Sequence, residues 1–166
     1  MNVPPRELPF GDAEFDAVLA VEVVEHMDGQ RAFFDEVRRV LKPGGCLAFT
    51  TPNILSLKSR VIFLFSGYFY SFKPLDPARR RALPPPHISP FTLDRYRYLL
   101  GQCGLELRSV WTDKQQTSSR FWAWLIPLIR LCSRAWYGNT ENVRLQNSRV
   151  ALFGRTLFVV ATKPLA

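Results

Sequence analysis

Two histidines, His26 and His87, are the side chains in this sequence best suited to proton transfer, because imidazole titrates near neutrality. They are the candidate catalytic residues, with His26 as a general base. His87 lies in a proline-rich stretch with Tyr68 and Tyr70, and these three are candidates to line an acceptor pocket. Each has a plainer reading. His26 orders the turn into the next helix, Glu25 starts that helix, and the loop aromatics tuck against the core. Arg79-Arg80-Arg81 would grip a phosphate or lipid head group, or simply form a solvated surface. The histidines are far apart in the chain and the carboxylates scattered, so no metal site is expected.

These residues need elements to hold them. Phe15–Val21 is a nearly continuous apolar run, suited to a strand buried on both faces. Phe33, Phe34, Val37, Val40 and Leu41 then recur at helical spacing, with charged residues on the other face. Lys42-Pro43-Gly44-Gly45 is read as the stop of that helix, and Cys46–Thr51 as a second buried strand. Strand, helix, glycine turn and strand make a βαβ unit, and such units build parallel sheets. In sheets of that kind ligands sit beyond the carboxyl ends of the strands, here Ala20, Val21 and Glu22. Thr51 and Asn53 end the second strand, and Asn53 is a candidate cap for a helix over Ile54–Phe65. Asp16 starts the first strand at the wrong end for chemistry and reads as structural.

Residues 67–90 form a long irregular excursion, and long loops in compact domains are often functional. Thr92–Cys103 reads as a helix closed by Gly104, and Leu105–Trp111 and Thr156–Ala161 as strands. Between those strands lies Arg120–Tyr137, read as one helix kinked at Pro127. At about 100° per residue, Phe121, Trp124, Leu125, Leu128, Leu131, Cys132 and Ala135 share one face, and the arginines gather opposite. The pattern suits a helix covering an apolar sheet or one lying in a membrane interface, with 119–137 as the segment concerned.

A chain of 166 residues is within the range of one domain. Its net charge of +8 favours acidic partners without choosing among them, and nucleic acid is the least supported. Three widely spaced cysteines form no zinc or redox motif, so a reducing cytoplasm is expected. The proline-rich, charged start is no signal peptide, and no apolar stretch is long enough to span a bilayer. The expected habit is cytoplasmic, peripheral to the membrane if the Trp/Arg helix lies in an interface.

Read in order, Leu8-Pro9-Phe10-Gly11-Asp12-Ala13-Glu14-Phe15-Asp16-Ala17-Val18, Val23-Val24-Glu25-His26, Arg39-Val40-Leu41-Lys42-Pro43-Gly44-Gly45 and Thr51-Pro52-Asn53 resemble class I S-adenosylmethionine-dependent methyltransferases. His87-Ile88-Ser89-Pro90-Phe91-Thr92, Leu99-Leu100 and Cys103-Gly104-Leu105 resemble the segment that follows in members acting on small molecules and glycans. The resemblance implies an α/β, Rossmann-like partial sheet, strands four to seven of that fold, mostly parallel with one antiparallel strand. It implies S-adenosylmethionine as cofactor, with the backbone of Ala20, Val21 and Glu22 bordering its methionine part. It further implies methyl transfer to oxygen or nitrogen of a small, lipid-linked or sugar-linked acceptor.

The sequence departs from the family in one respect. It contains no G-x-G, the loop through which the family grips its cofactor, and Gly44-Gly45 joins a helix to a strand instead. A truncated frame or fragment is therefore the expectation, with Met1-Asn2 as a remnant of an Asp-Leu-Asn-like triplet. The alternative is a non-catalytic remnant that binds a partner. Either way Phe15–Val21 should present an unpaired apolar edge, open to a protein partner.

Overall fold

The computed structural model describes residues 8–76, 78 and 85–165. Its framework is one sheet of β1 (Phe15–Ala20), β2 (Leu41–Pro52), β3 (Glu106–Thr112) and β4 (Thr156–Thr162), in spatial order β1-β2-β4-β3. β1 and β2 are parallel neighbours joined through α1 (Gln30–Val40), as a crossover helix requires. β4 enters antiparallel between β2 and β3. This is the half-sheet expected from the sequence. Among the described residues β1 pairs with β2 alone, and its other edge has no partner there.

The core lies on one face. Phe49 of β2 meets Phe34 of α1 with ring centroids 5.5 Å apart, and Tyr96 of α3 (Leu93–Gln102) at 5.2 Å. Leu47 from β2, Leu157, Val159 and Ala161 from β4, and Val18 and Ala20 from β1 join that layer. The alternate residues of the strands turn to the opposite face. There Leu19 is 72% exposed and Trp111, stacked on Phe158 at 5.9 Å, is 45% exposed. The reading of Phe15–Val21 as buried on both faces is thus corrected. α1 and α3 pack on the same side of the sheet, and the other side is only partly covered.

The glycine pair has another role than stopping α1, which ends at Val40 with Leu41 already extended. Lys42-Pro43-Gly44-Gly45 is instead a bulged entry to β2. While β1 advances from Phe15 to Ala17, β2 runs from Leu41 to Cys46. Gly44 takes φ +78, and a Cβ on Gly45 would sit 2.9 Å from the Lys42 carbonyl and 3.1 Å from that of Asp16. Only glycine fits that approach.

Asn53 is not the cap of the following helix. α2 (Leu57–Ser66) starts later than expected and is capped by Ser56, whose Oγ accepts from the Ser59 N–H at 3.2 Å. Asn53 accepts from the Leu55 N–H and donates to the carbonyls of Ala151 and Gly154, at 2.8–2.9 Å. It ties the end of β2 to a short C-terminal helix, Arg149–Phe153.

The Arg120–Tyr137 stretch is also divided: α4 (Thr117–Phe121), a 3-10 turn (Ala123–Leu125) and α5 (Ile126–Tyr137). Pro127 stands in the first turn of α5, where a missing N–H is harmless, so it starts the helix rather than kinking it. No residue of α5 is buried, and Trp124 and Leu131 are each 67% exposed. The alternative in which this face covers the sheet is overturned. α6 (Glu141–Gln146) and α7 (Arg149–Phe153) complete the chain. No helix among the described residues is long and apolar enough to cross a membrane. Met1-Asn2 and Arg79-Arg80-Arg81 lie outside the described residues.

Candidate active site

The site is built where β1 ends. Ala20 is buried, Val21 is 56% exposed, and Glu22 takes φ +50, a conformation unusual for a side-chain-bearing residue. Its N–H donates to Thr50 Oγ1 of β2 at 2.9 Å, which holds the kink. The chain leaves the strand sharply and winds one 3-10 turn, Val24–His26. That turn points Glu25 inward, with no exposed surface, and leaves His26 half-buried at the rim.

The returning end of the 67–90 excursion docks on this turn. The N–H groups of Ile88 and Ser89 both donate to the Glu25 carbonyl, at 2.9 and 3.0 Å, and Ser89 Oγ donates to the Met27 carbonyl. His87 is thereby brought against His26, with ring centroids 4.8 Å apart. Far apart in the chain, the two histidines are neighbours in the fold. His26 Nδ1 lies 2.9 Å from the Pro86 carbonyl, and His87 Nδ1 lies 2.9 Å from that of Ser71. A carbonyl only accepts, so each neutral ring carries its proton on Nδ1 and leaves Nε2 as a free acceptor.

Behind the histidines is a residue that sequence reasoning passed over. Neither carboxylate oxygen of Glu25 has a hydrogen-bond partner, and burial holds its carboxyl above the usual glutamate range. Gln30 lies close by, donating Nε2–H to the Val24 carbonyl at 2.6 Å. Tyr96 lies on the buried side of α3. Its hydroxyl reaches Thr51 Oγ1 at 3.2 Å, and burial pushes the phenol up to about 12. It is a neutral hydrogen-bonding floor, not a base.

The other candidates separate. Tyr70 is held to α2, its N–H on Ser59 Oγ and its ring under Lys58 Nζ at 3.6 Å. Tyr68 is half exposed just past the end of α2. His87 meets the same excursion through Ser71 and through Phe72, whose ring is 5.3 Å away. Asp16 is paired with Lys42 at 2.9 Å, at the opposite end of β1.

Residues 2–49 match the family described as a methyltransferase domain. The mitochondrial ubiquinone biosynthesis O-methyltransferase of Homo sapiens is 34% identical over 110 residues, 66% of this chain and 28% of that protein. The enzyme of the same name from Dictyostelium discoideum is 34% identical over 64 residues, 39% of this chain and 20% of its own. The chain therefore spans less than a third of the length of either relative. A S-adenosylmethionine-dependent methyltransferase structure from Methanosarcina mazei superimposes with a TM-score of 0.52 at 20% identity, covering 96% of this chain and 64% of that one. A structure described as a methyltransferase, from Bacillus halodurans, gives 0.51 at 18%, over 95% of this chain and 68% of the other. These likenesses establish a shared fold.

Proposed function

We propose that this chain, whose residues 2–49 match the methyltransferase-domain family, is part of a class I S-adenosylmethionine-dependent methyltransferase and forms the acceptor-side part of an enzyme that methylates an oxygen or nitrogen. The supporting observation is the open end of β1, Ala20-Val21-Glu22, lying one turn before the paired histidines. The residues present fit one flank of the cofactor. Glu22 turns the backbone away from the strand end and Val21 stands exposed there, whereas the sequence holds no G-x-G loop for the other flank.

When bound, S-adenosylmethionine supplies a methyl group activated on a sulfonium. Ala20, Val21 and Glu22 would border its methionine part. His26 Nε2 would accept the proton of the acceptor hydroxyl or amine, with Nδ1 anchored on the Pro86 carbonyl to hold the ring. His87, Tyr68 and Tyr70 belong to the 67–90 excursion, which we assign to a small, lipid-linked or sugar-linked acceptor. The free edge of β1 suits a protein strand as partner.

With one flank present, this 166-residue chain should bind S-adenosylmethionine weakly, with a Kd of about 1 mM or higher. Amide NMR shifts on titration should cluster at Ala20–His26. Low-micromolar affinity, or shifts gathered elsewhere, would sink the placement.

The lipid-linked acceptor is favoured by the exposed face of Phe121, Trp124, Leu128 and Leu131, with Arg130 and Arg134 also on α5. Tryptophan and leucine beside arginine suit the interface of an anionic bilayer. Sedimentation with anionic vesicles should show binding that weakens with salt and falls about tenfold in Trp124→Ala. Binding indifferent to both would remove the membrane from the reading.

A further inference from the structure

We propose that Glu25, His26 and His87 form a binding site for a divalent transition-metal ion of the zinc class, held by one carboxylate oxygen and two imidazole nitrogens. One candidate ligand atom from each residue lies within 4.8 Å of the other two. A tetrahedral ion with bonds of about 2.0–2.2 Å needs its ligands roughly 3.3 Å apart, so side-chain rotation of about an ångström closes the site. The backbones need not move, since Ile88 and Ser89 already clamp the two segments together through the Glu25 carbonyl.

Three features of the surroundings suit a metal. Metal-binding histidines almost always donate their second ring N–H to a carbonyl or carboxylate, which fixes tautomer and orientation. His26 and His87 both do so, on Pro86 and Ser71, and both keep Nε2 for a ligand. Next, Glu25 is wholly buried and both its oxygens lack partners. Buried polar atoms are nearly always satisfied, and a cation between the rings supplies what the carboxylate lacks. Finally, two nitrogens and one oxygen form a donor set that takes zinc, cobalt or iron(II) in preference to magnesium or calcium, which prefer oxygen alone. A fourth position stays open.

The proposal rests on this pocket and not on methyl transfer. It does bear on that reaction. An ion here occupies His26 Nε2 and lowers the pKa of an acceptor hydroxyl in the open position, taking over the proton removal assigned to His26.

The test uses the tag-free, chelator-stripped 166-residue chain, titrated with cobalt(II) and followed by its visible d–d absorption. Saturation at one ion per chain is expected, with a Kd of about 1 µM or tighter. His87→Ala and Glu25→Gln should each weaken it at least about 100-fold, no less than the loss of an outer-shell partner. The chain holds only two histidines, so nitrogen-15 imidazole signals read the site in the unaltered protein should a variant fail to fold. Zinc should shift the Nε2 resonance of both. Absence of saturable binding overturns the proposal, as does a thiolate–cobalt charge-transfer band, which would place the ion on a cysteine. So does a zinc shift at one histidine alone. Neither readout involves S-adenosylmethionine. Failed cofactor binding with intact cobalt binding sinks only the methyl-transfer reading, and the reverse result leaves His26 as the base.

Discussion

Phe34→Ala is expected to cost about 3–5 kcal/mol of stability, the range for removing a large aromatic from a packed core. Domains of this kind have only about 5–15 kcal/mol in total, so the variant should be partly unfolded at 37 °C. Phe34 has no exposed surface and sits with Val37 and Val40 on the buried side of α1. Its ring is wedged between Phe33 and Phe49, each 5.5 Å away, and Phe49 in turn supports Tyr96. Rigid rings on a strand and two helices cannot collapse into the space a phenyl leaves, so the cavity cost is added to the lost burial. Urea unfolding should show a lower midpoint with an unchanged slope. A loss below about 1 kcal/mol would mean α1 does not pack on β2 through this residue.

Asn53→Ala should be the next most damaging change, at about 3 kcal/mol, because one buried side chain satisfies three backbone groups. Removing it leaves the carbonyls of Ala151 and Gly154 and the N–H of Leu55 without those partners in a dry environment. A helix cap alone is worth about 1 kcal/mol, which is the cost expected of Ser56→Ala. The two variants therefore separate the roles by size. Amide exchange should also rise across α7 in Asn53→Ala and stay protected in Ser56→Ala. Equal costs, with α7 protected in both, would return Asn53 to simple capping.

The sequence by itself determined the framework. Apolar runs and helical spacing set β1, α1 and β2 in order, and a helical crossover leaves parallel neighbours as the consequence. The resemblance carried by the ordered motifs implied a mostly parallel half-sheet with one antiparallel strand, and with it the unpaired edge of β1. These features are local, or follow from connection lengths, so they are written in residue types.

The site was legible only in part. His26 and His87 were evident as chemistry, but their meeting depends on backbone hydrogen bonds from Ile88 and Ser89 to the Glu25 carbonyl, which any residue types could make. Glu25 looked like a turn residue because a carboxylate is ordinarily solvated. Its burial arises from the kink at Glu22 and the 3-10 turn, whose direction the sequence does not encode visibly. The apolar face of α5 was likewise plain as a pattern, yet an amphipathic period says which residues face together and never what they face. Its exposure, the covering of one sheet face alone, and the convergence of Glu25, His26 and His87 were decided by tertiary docking between segments far apart in the chain. Such contacts are set by the packing of whole elements, and no window of sequence contains both partners.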